Sequence, residues 1–220
     1  GFRHDAGPTV ITAPFMFEEL FSLFDEKLSD HLEFVPVSPW YRFHFPDGSD
    51  FDYGEDMAAF EAGMARYREA DIEGYRRLLE ASREIFEVGF EKLADQPFLK
   101  FTDMLKQVPA LLKLRSYLTV SQFVKKYITH PYLQQALSIH PLLVGGNPYD
   151  TTSIYALIHY LERKWGVHFC MGGTGKLVSE LEKLMRRHGV GIHTGADVEE
   201  IVVSDKKVTG IKCVDGRQMD

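Results

Sequence analysis

Two glycine clusters, Gly145-Gly146 and Gly172-Gly173-Thr174-Gly175, bracket a capped apolar helix, and together they constrain this chain more than any other feature. The stretch runs Leu142-Leu-Val-Gly-Gly-Asn-Pro-Tyr-Asp-Thr-Thr-Ser-Ile-Tyr-Ala-Leu-Ile-His and continues through Trp165-Gly-Val-His-Phe. Thr151 or Thr152 is placed to cap a helix reaching Lys164, and Gly166 is placed to end it. The second cluster opens another helix, Thr174 to His188, with Leu177, Leu181, Leu184 and Met185 on one face. A plain core helix needs no such specified ends.

The rest of the chain alternates in character. Thr9-Val-Ile-Thr is β-rich, Phe15 to Leu28 carries apolar residues at helical spacing, and Leu32 to Val37 reads as a strand. Tyr41-Arg-Phe-His-Phe, the turn Pro46-Asp-Gly-Ser and Asp50-Phe-Asp-Tyr predict a hairpin, since Asp-Gly supplies the positive φ of a tight turn. From Asp56 to Asp95 the period is helical, with Asp71 as the expected N-cap between two helices. Between Phe101 and Leu143, Pro109, Pro131 and Pro141 are expected helix boundaries. The last segment predicts a short strand at Val190-Gly-Ile-His, then a hairpin of Val198–Ser204 and Val208–Val214 around Asp205-Lys-Lys. The fold class is mixed α/β (α+β), with four parts expected: 1–37, 38–90, 91–173 and 174–220.

Charge and cysteine content exclude several classes. With 25 basic and 32 acidic residues the net charge is −7, unlike a nucleic-acid-binding surface. Lys113, Arg115, Lys125 and Lys126 form a local basic cluster, either a solvated helix face or a surface for anionic lipid headgroups. Cys170 and Cys213 stand far apart, without disulfide or metal spacing, so a reducing compartment is expected. No apolar run approaches the roughly 20 residues that cross a bilayer. Nor do the nine histidines predict a metal site at ligand spacing.

Nucleotide-loop readings of Gly172-Gly-Thr-Gly-Lys-Leu fail by position. A phosphate loop needs glycine where Cys170 stands and Ser or Thr where Leu177 stands. A dinucleotide fingerprint needs glycine at Val178. What remains is a glycine turn at a helix N-terminus, either a bare turn or a shelf of N–H groups beside a ligand. Asp103, in Phe101-Thr-Asp-Met-Leu, is either an N-cap or a carboxylate in an apolar cavity that stabilises a cation or takes a proton.

Four segments carry a family resemblance: Phe2-x-x-Asp-Ala-Gly-Pro-Thr-Val-Ile-Thr, Glu18-Glu-Leu-Phe, Leu142-Leu-Val-Gly-Gly-Asn-Pro-Tyr-Asp-Thr-Thr-Ser-Ile-Tyr, and Leu161-Glu-Arg-Lys-Trp-Gly-Val-His-Phe-x-Met-Gly-Gly-Thr-Gly. They resemble the bacterial and fungal phytoene desaturases of the flavin-containing amine oxidase-like superfamily. The resemblance implies a partial FAD-binding fold with a small substrate-domain sheet and a helical lid, and an FAD enzyme that desaturates phytoene toward neurosporene or lycopene. It further implies quinone or oxygen as electron acceptor and a cytoplasmic protein held at the membrane surface. Asp5, Gly7, Pro8 and Thr9 resemble the segment beside the flavin ring, and Val198 the valine whose backbone meets the adenine end. Asp103 matches a carboxylate of the substrate cavity, and Lys106 stands where the family usually has arginine, so a bidentate contact is lost. These two are the implied catalytic residues.

A hydrocarbon substrate needs an apolar tunnel and membrane access. The expected docking region is Gln96 to Tyr132, with Phe98, Leu99, Leu111, Leu112, Leu114 and Tyr117 among Lys106, Lys113, Arg115, Lys125 and Lys126. The family's glycine fingerprint is not seen in the chain, so an internal fragment is expected, binding FAD poorly and inactive alone. Two other readings stay open: a related carotenoid oxidoreductase or isomerase, and a non-catalytic apolar-ligand or membrane-binding module.

Overall fold

The computed structural model describes residues 1, 4, 5, 7, 9–91, 97 and 99–219 of the chain. The chain divides into two compact units, Gly1–Lys176 and Leu177–Asp220. It is a mixed α/β molecule of short antiparallel sheets and helices.

In the first unit, helix α1 (Pro14–Ser22) precedes strand β1 (Phe34–Pro36) and the hairpin β2 (Tyr41–His44) and β3 (Asp50–Tyr53). The predicted hairpin forms, with Phe43 opposite Phe51 and His44 opposite Asp50, closed by Gly48 at φ 83°. Helices α2 (Met57–Arg68) and α3 (Ala70–Gly89) follow, then α4 (Phe101–Lys113), α5 (Val120–Val124) and α6 (Pro131–Ala136). Helix α7 (Leu157–Trp165) is entered through a 3-10 turn at Ser153–Ala156, capped by Thr152, and ends at Gly166 with φ 77°. Strand β4 (His168–Cys170) pairs antiparallel with β1, and Ile11 adds to β4 through two backbone hydrogen bonds of 2.8 Å with His168. Helix α8 (Thr174–Arg187) crosses into the second unit. There β5 (Val198–Ser204), β6 (Lys207–Cys213) and β7 (Gln218–Met219) form a meander, turning at Asp205 and Lys206, both at positive φ.

The first unit's core is aromatic. Phe51 and Tyr53 project from the hairpin onto Phe60 and Met64 of α2 and Tyr75 and Leu78 of α3, all fully or almost fully buried. Phe45 stacks on Tyr132 at 4.2 Å, joining the hairpin to α6. Alternation along β3 and helical spacing along α2 and α3 put these rings on one side of each element. Most of the frequent aromatics therefore serve the core itself.

Five local expectations are corrected. Helix α1 stops at Ser22 because Asp25 takes φ 58° and the Glu26 N–H turns back to the Phe21 carbonyl. Asp71 is no N-cap. It lies inside α3, buried, and its carboxylate accepts backbone N–H bonds from Thr129 at 3.0 Å and His130 at 2.8 Å. Pro109 sits within α4, where its fixed φ suits the helix and its ring lies on an exposed side. Asp103 occupies the first turn of α4 and Lys100 the N-cap. No strand forms at Val190–His193, because the Val190 N–H is taken by the Met185 carbonyl at the end of α8. Pro131 and Pro141 do begin helical turns, as expected.

One turn beyond Asp71, α3 presses on the same backbone. A Cβ at Gly74 would lie 2.1 Å from the Tyr127 carbonyl oxygen. Alanine here gains about 1 kcal/mol of helix propensity, but overpacking against a backbone atom this close falls in the upper part of the usual range, about 2–3 kcal/mol. The clash should win: Gly74→Ala is expected to lower stability in urea unfolding by about 1–2 kcal/mol. A neutral or stabilised variant would contradict this packing.

Candidate functional site

Positions 158, 161, 162 and 165 fall on one stripe of α7, so Glu162 belongs geometrically with Ile158, Leu161 and Trp165. It is completely buried. Tyr41 donates its O–H to Glu162 Oε1 at 2.7 Å, and His140 donates from Nε2 to Oε2 at 3.0 Å. His140, also fully buried, leaves Nδ1 without a partner. Burial, followed by the Glu162 charge, pushes the Tyr41 phenol far above its ordinary range.

The next residue, Arg163, points about 100° around the helix. Its guanidinium lies over the rings of Phe60 at 4.6 Å, Tyr53 at 4.9 Å, Trp40 at 5.0 Å and Tyr75 at 5.5 Å. Nη1 donates to the Gly54 carbonyl at 2.6 Å and Nε donates to Tyr75 Oη at 2.8 Å. Cation–π attraction and these bonds replace part of the water lost on burial, while the buried Nη2 has no hydrogen-bond partner among the described residues.

A directed hydrogen-bond chain follows. His159 faces the Leu137 carbonyl through Nε2 at 2.9 Å, and a carbonyl only accepts, so Nε2 carries the proton. In the neutral ring Nδ1 accepts, so the Tyr53 hydroxyl, 3.3 Å away, donates to it. Tyr75 in turn donates to Tyr53 at 3.3 Å and receives from Arg163. Burial, with His140 adding to it, holds the His159 imidazole well below its ordinary pKa and keeps the ring neutral. Burial likewise raises Tyr53 and Tyr75. Sequence reading missed this cluster; the visible signal was an acid on the apolar stripe of α7.

The residues implied by resemblance are placed as follows. Asp103 and Lys106 are one turn apart on α4, carboxylate to ammonium 3.3 Å, with side-chain exposures of 34% and 74%. Asp5, Gly7 and Thr9 are exposed in the segment leading to Ile11, while Pro8 lies outside the described residues. Gly7 has φ 84°, and among the described residues nothing beyond its own chain neighbours lies within 4 Å of where its Cβ would stand. Space of that kind against a bare backbone fits the approach of a flat ring such as a flavin. Val198 opens β5 in the second unit, half exposed. A cleft of about 480 Å³ beside α1 and β1 mixes Glu18, Glu26 and Lys27 with Leu28, Leu32 and Phe34, unlike the wall a hydrocarbon requires.

The model of the flavin-containing amine oxidoreductases matches residues 1–220, and the chain belongs to that family. Within it, the chain is similar to lycopene-forming phytoene desaturases. It is 47% identical to that of Pseudescherichia vulneris over 100% of the chain and 45% of the relative, and 44% identical to that of Pantoea ananas over 99% and 44%. The neurosporene-forming phytoene desaturase of Rhodobacter capsulatus is 36% identical over 100% of the chain and 42% of its own length. The chain thus spans a little under half the length of these relatives.

His159 gives the cluster a pH signature. Its folded pKa is depressed, so the unfolded chain binds the proton first as pH falls. The stability it contributes is whole above its unfolded value of about 6.5 and falls below it by at most about 1.4 kcal/mol per pH unit. Urea unfolding between pH 7.5 and 5 should show this slope, and His159→Gln should flatten it. An equal slope in the variant would contradict the assignment.

Proposed function

We propose that this chain is part of an FAD-dependent phytoene desaturase, which removes hydrogens from phytoene toward neurosporene or lycopene in carotenoid synthesis. Full-length coverage of the chain at 47% identity to a lycopene-forming desaturase carries the reading. When bound, the flavin supplies the acceptor for the two hydrogens lost in forming each new double bond. Asp5, Gly7, Pro8 and Thr9 would hold its ring side and Val198 its adenine end. Asp103 would face the polyene, stabilising developing positive charge or accepting a proton, with Lys106 orienting it. Quinone or oxygen would reoxidise the flavin.

Residues 91–173 act in this reading as a helical lid, 38–90 as the substrate domain, and 1–37 with 174–220 as flavin-domain rim. Among the described residues no helix is long and apolar enough to cross a membrane. Docking from one side is supported by α4 and its neighbours. Leu105, Val108 and Leu112 form an exposed stripe, flanked by Leu99 at 84% and Tyr117 at 68% exposure. Lys100, Lys106, Lys113 and Arg115 edge it, and all four are exposed. Gln96 and Phe98 of the expected region lie outside the described residues. Apolar insertion with a basic edge is the pattern of an interfacial helix.

Two experiments test this. Expression of the complete reading frame in phytoene-producing cells should yield neurosporene or lycopene, whereas unchanged phytoene beside a folded, flavin-loaded protein would overturn the reading. Vesicles containing anionic lipid should bind the chain, and Leu105→Asp with Leu112→Asp should weaken binding by about ten-fold or more, given roughly 1.5–3 kcal/mol per fully buried leucine. Equal binding by the double variant would remove α4 from the membrane contact.

A further inference from the structure

Helix α8 begins at Thr174, so the residue before it, Gly173, has no side chain with which to cap the first turn. The cap comes instead from the far end of the sequence. Asp5 accepts the Gly175 N–H through Oδ1 at 3.2 Å. Its other oxygen, Oδ2, lies 1.9 Å from where a Cβ on residue 173 would stand, so a side chain there would force the carboxylate to move off. Gly173 also has φ 82°. The glycine at 173 thus serves both the turn and the admission of Asp5.

Six residues later, Ile11 exchanges two backbone hydrogen bonds of 2.8 Å with His168. A strap is therefore pinned at Asp5 to the head of α8 and at Ile11 to β4. The turn of the strap falls at Gly7, φ 84°, with open space at its Cβ position. A carboxylate at a helix N-terminus accepts from its backbone N–H groups and meets the positive end of the dipole.

We propose that Asp5 is a positioning residue: by pinning the strap to α8 it fixes the height and tilt at which the Gly7 backbone meets the flavin. This rests on the desaturase reading for the identity of the ligand, while the pin itself does not. It also means that the glycine turn 172–175 already holds an anion of its own chain.

Hydrogen exchange on the chain tests the pin. Asp5→Ala should speed exchange at the Gly175 amide about ten-fold, and Asp5→Asn, which keeps an acceptor oxygen, by less. In addition, Gly173→Ala carries the positive-φ strain in either background but displaces the carboxylate only when Asp5 is present, so it should cost less beside Asp5→Ala. Unchanged exchange at Gly175, or equal cost of Gly173→Ala in both backgrounds, would overturn the pin, and the second comparison holds even if one variant folds poorly. In the flavin-loaded full-length protein, Asp5→Ala should shift the flavin absorption bands and weaken FAD binding several-fold, with recovery in Asp5→Asn. Faster exchange with an unaltered flavin spectrum would overturn the positioning role, without touching the product assay that decides the desaturase reading.

Discussion

The first unit depends on two consecutive charged residues of one helix, Glu162 fully buried and Arg163 half-buried, that leave it in different directions. Glu162 and Arg163 leave α7 about 100° apart, and each meets a ready-made polar or aromatic receptor. Neither charge tolerates burial without those receptors. The placement of α7 therefore dictates that of β2 through Tyr41, of β3 through Tyr53 and Gly54, of α3 through Tyr75, and of the turn at His140. An apolar core of the same volume could be as stable, but it would accept small slides of one element over another. Directional bonds do not.

This rigidity bears on function. Phytoene has no polar group for a protein to grip, so shape alone must orient it, and shape requires walls that keep their place. In the proposed desaturase, the hairpin and the helices it contacts form a fixed block, while α4 presents the exposed apolar stripe suited to a lipid surface. The strap is tied to β4 and α8, which follow α7 in sequence, and its pin is a carboxylate that accepts from a backbone N–H.

Local structure was legible in the sequence wherever one residue type decides the backbone. Asp-Gly gave the β2–β3 turn, Thr152 and Gly166 the ends of the α7 region, and Pro131 and Pro141 the starts of helical turns. Reading failed where a side chain is claimed by a distant partner. Asp71 resembles a cap until the backbone at 129–130 takes its carboxylate. Val190 reads as a strand until the end of α8 takes its N–H. The Glu162–His140–Tyr41 and Arg163–Tyr75–Tyr53–His159 networks join residues more than a hundred positions apart, and no local pattern announces them. Family membership was readable for a different reason: motif strings of ten or more residues carry it, and the match over residues 1–220 agrees.

Nitrogen NMR of the His159 ring addresses the network most directly, because one proton assignment fixes the direction of every bond in the chain from Arg163 to Leu137. At pH 7 the ring should be neutral and protonated on Nε2 alone, and it should remain so as the solution is brought to pH 6. An imidazolium, or a proton resting on Nδ1, would mean that Tyr53 cannot donate to it, and the proposed architecture of the buried network would be wrong.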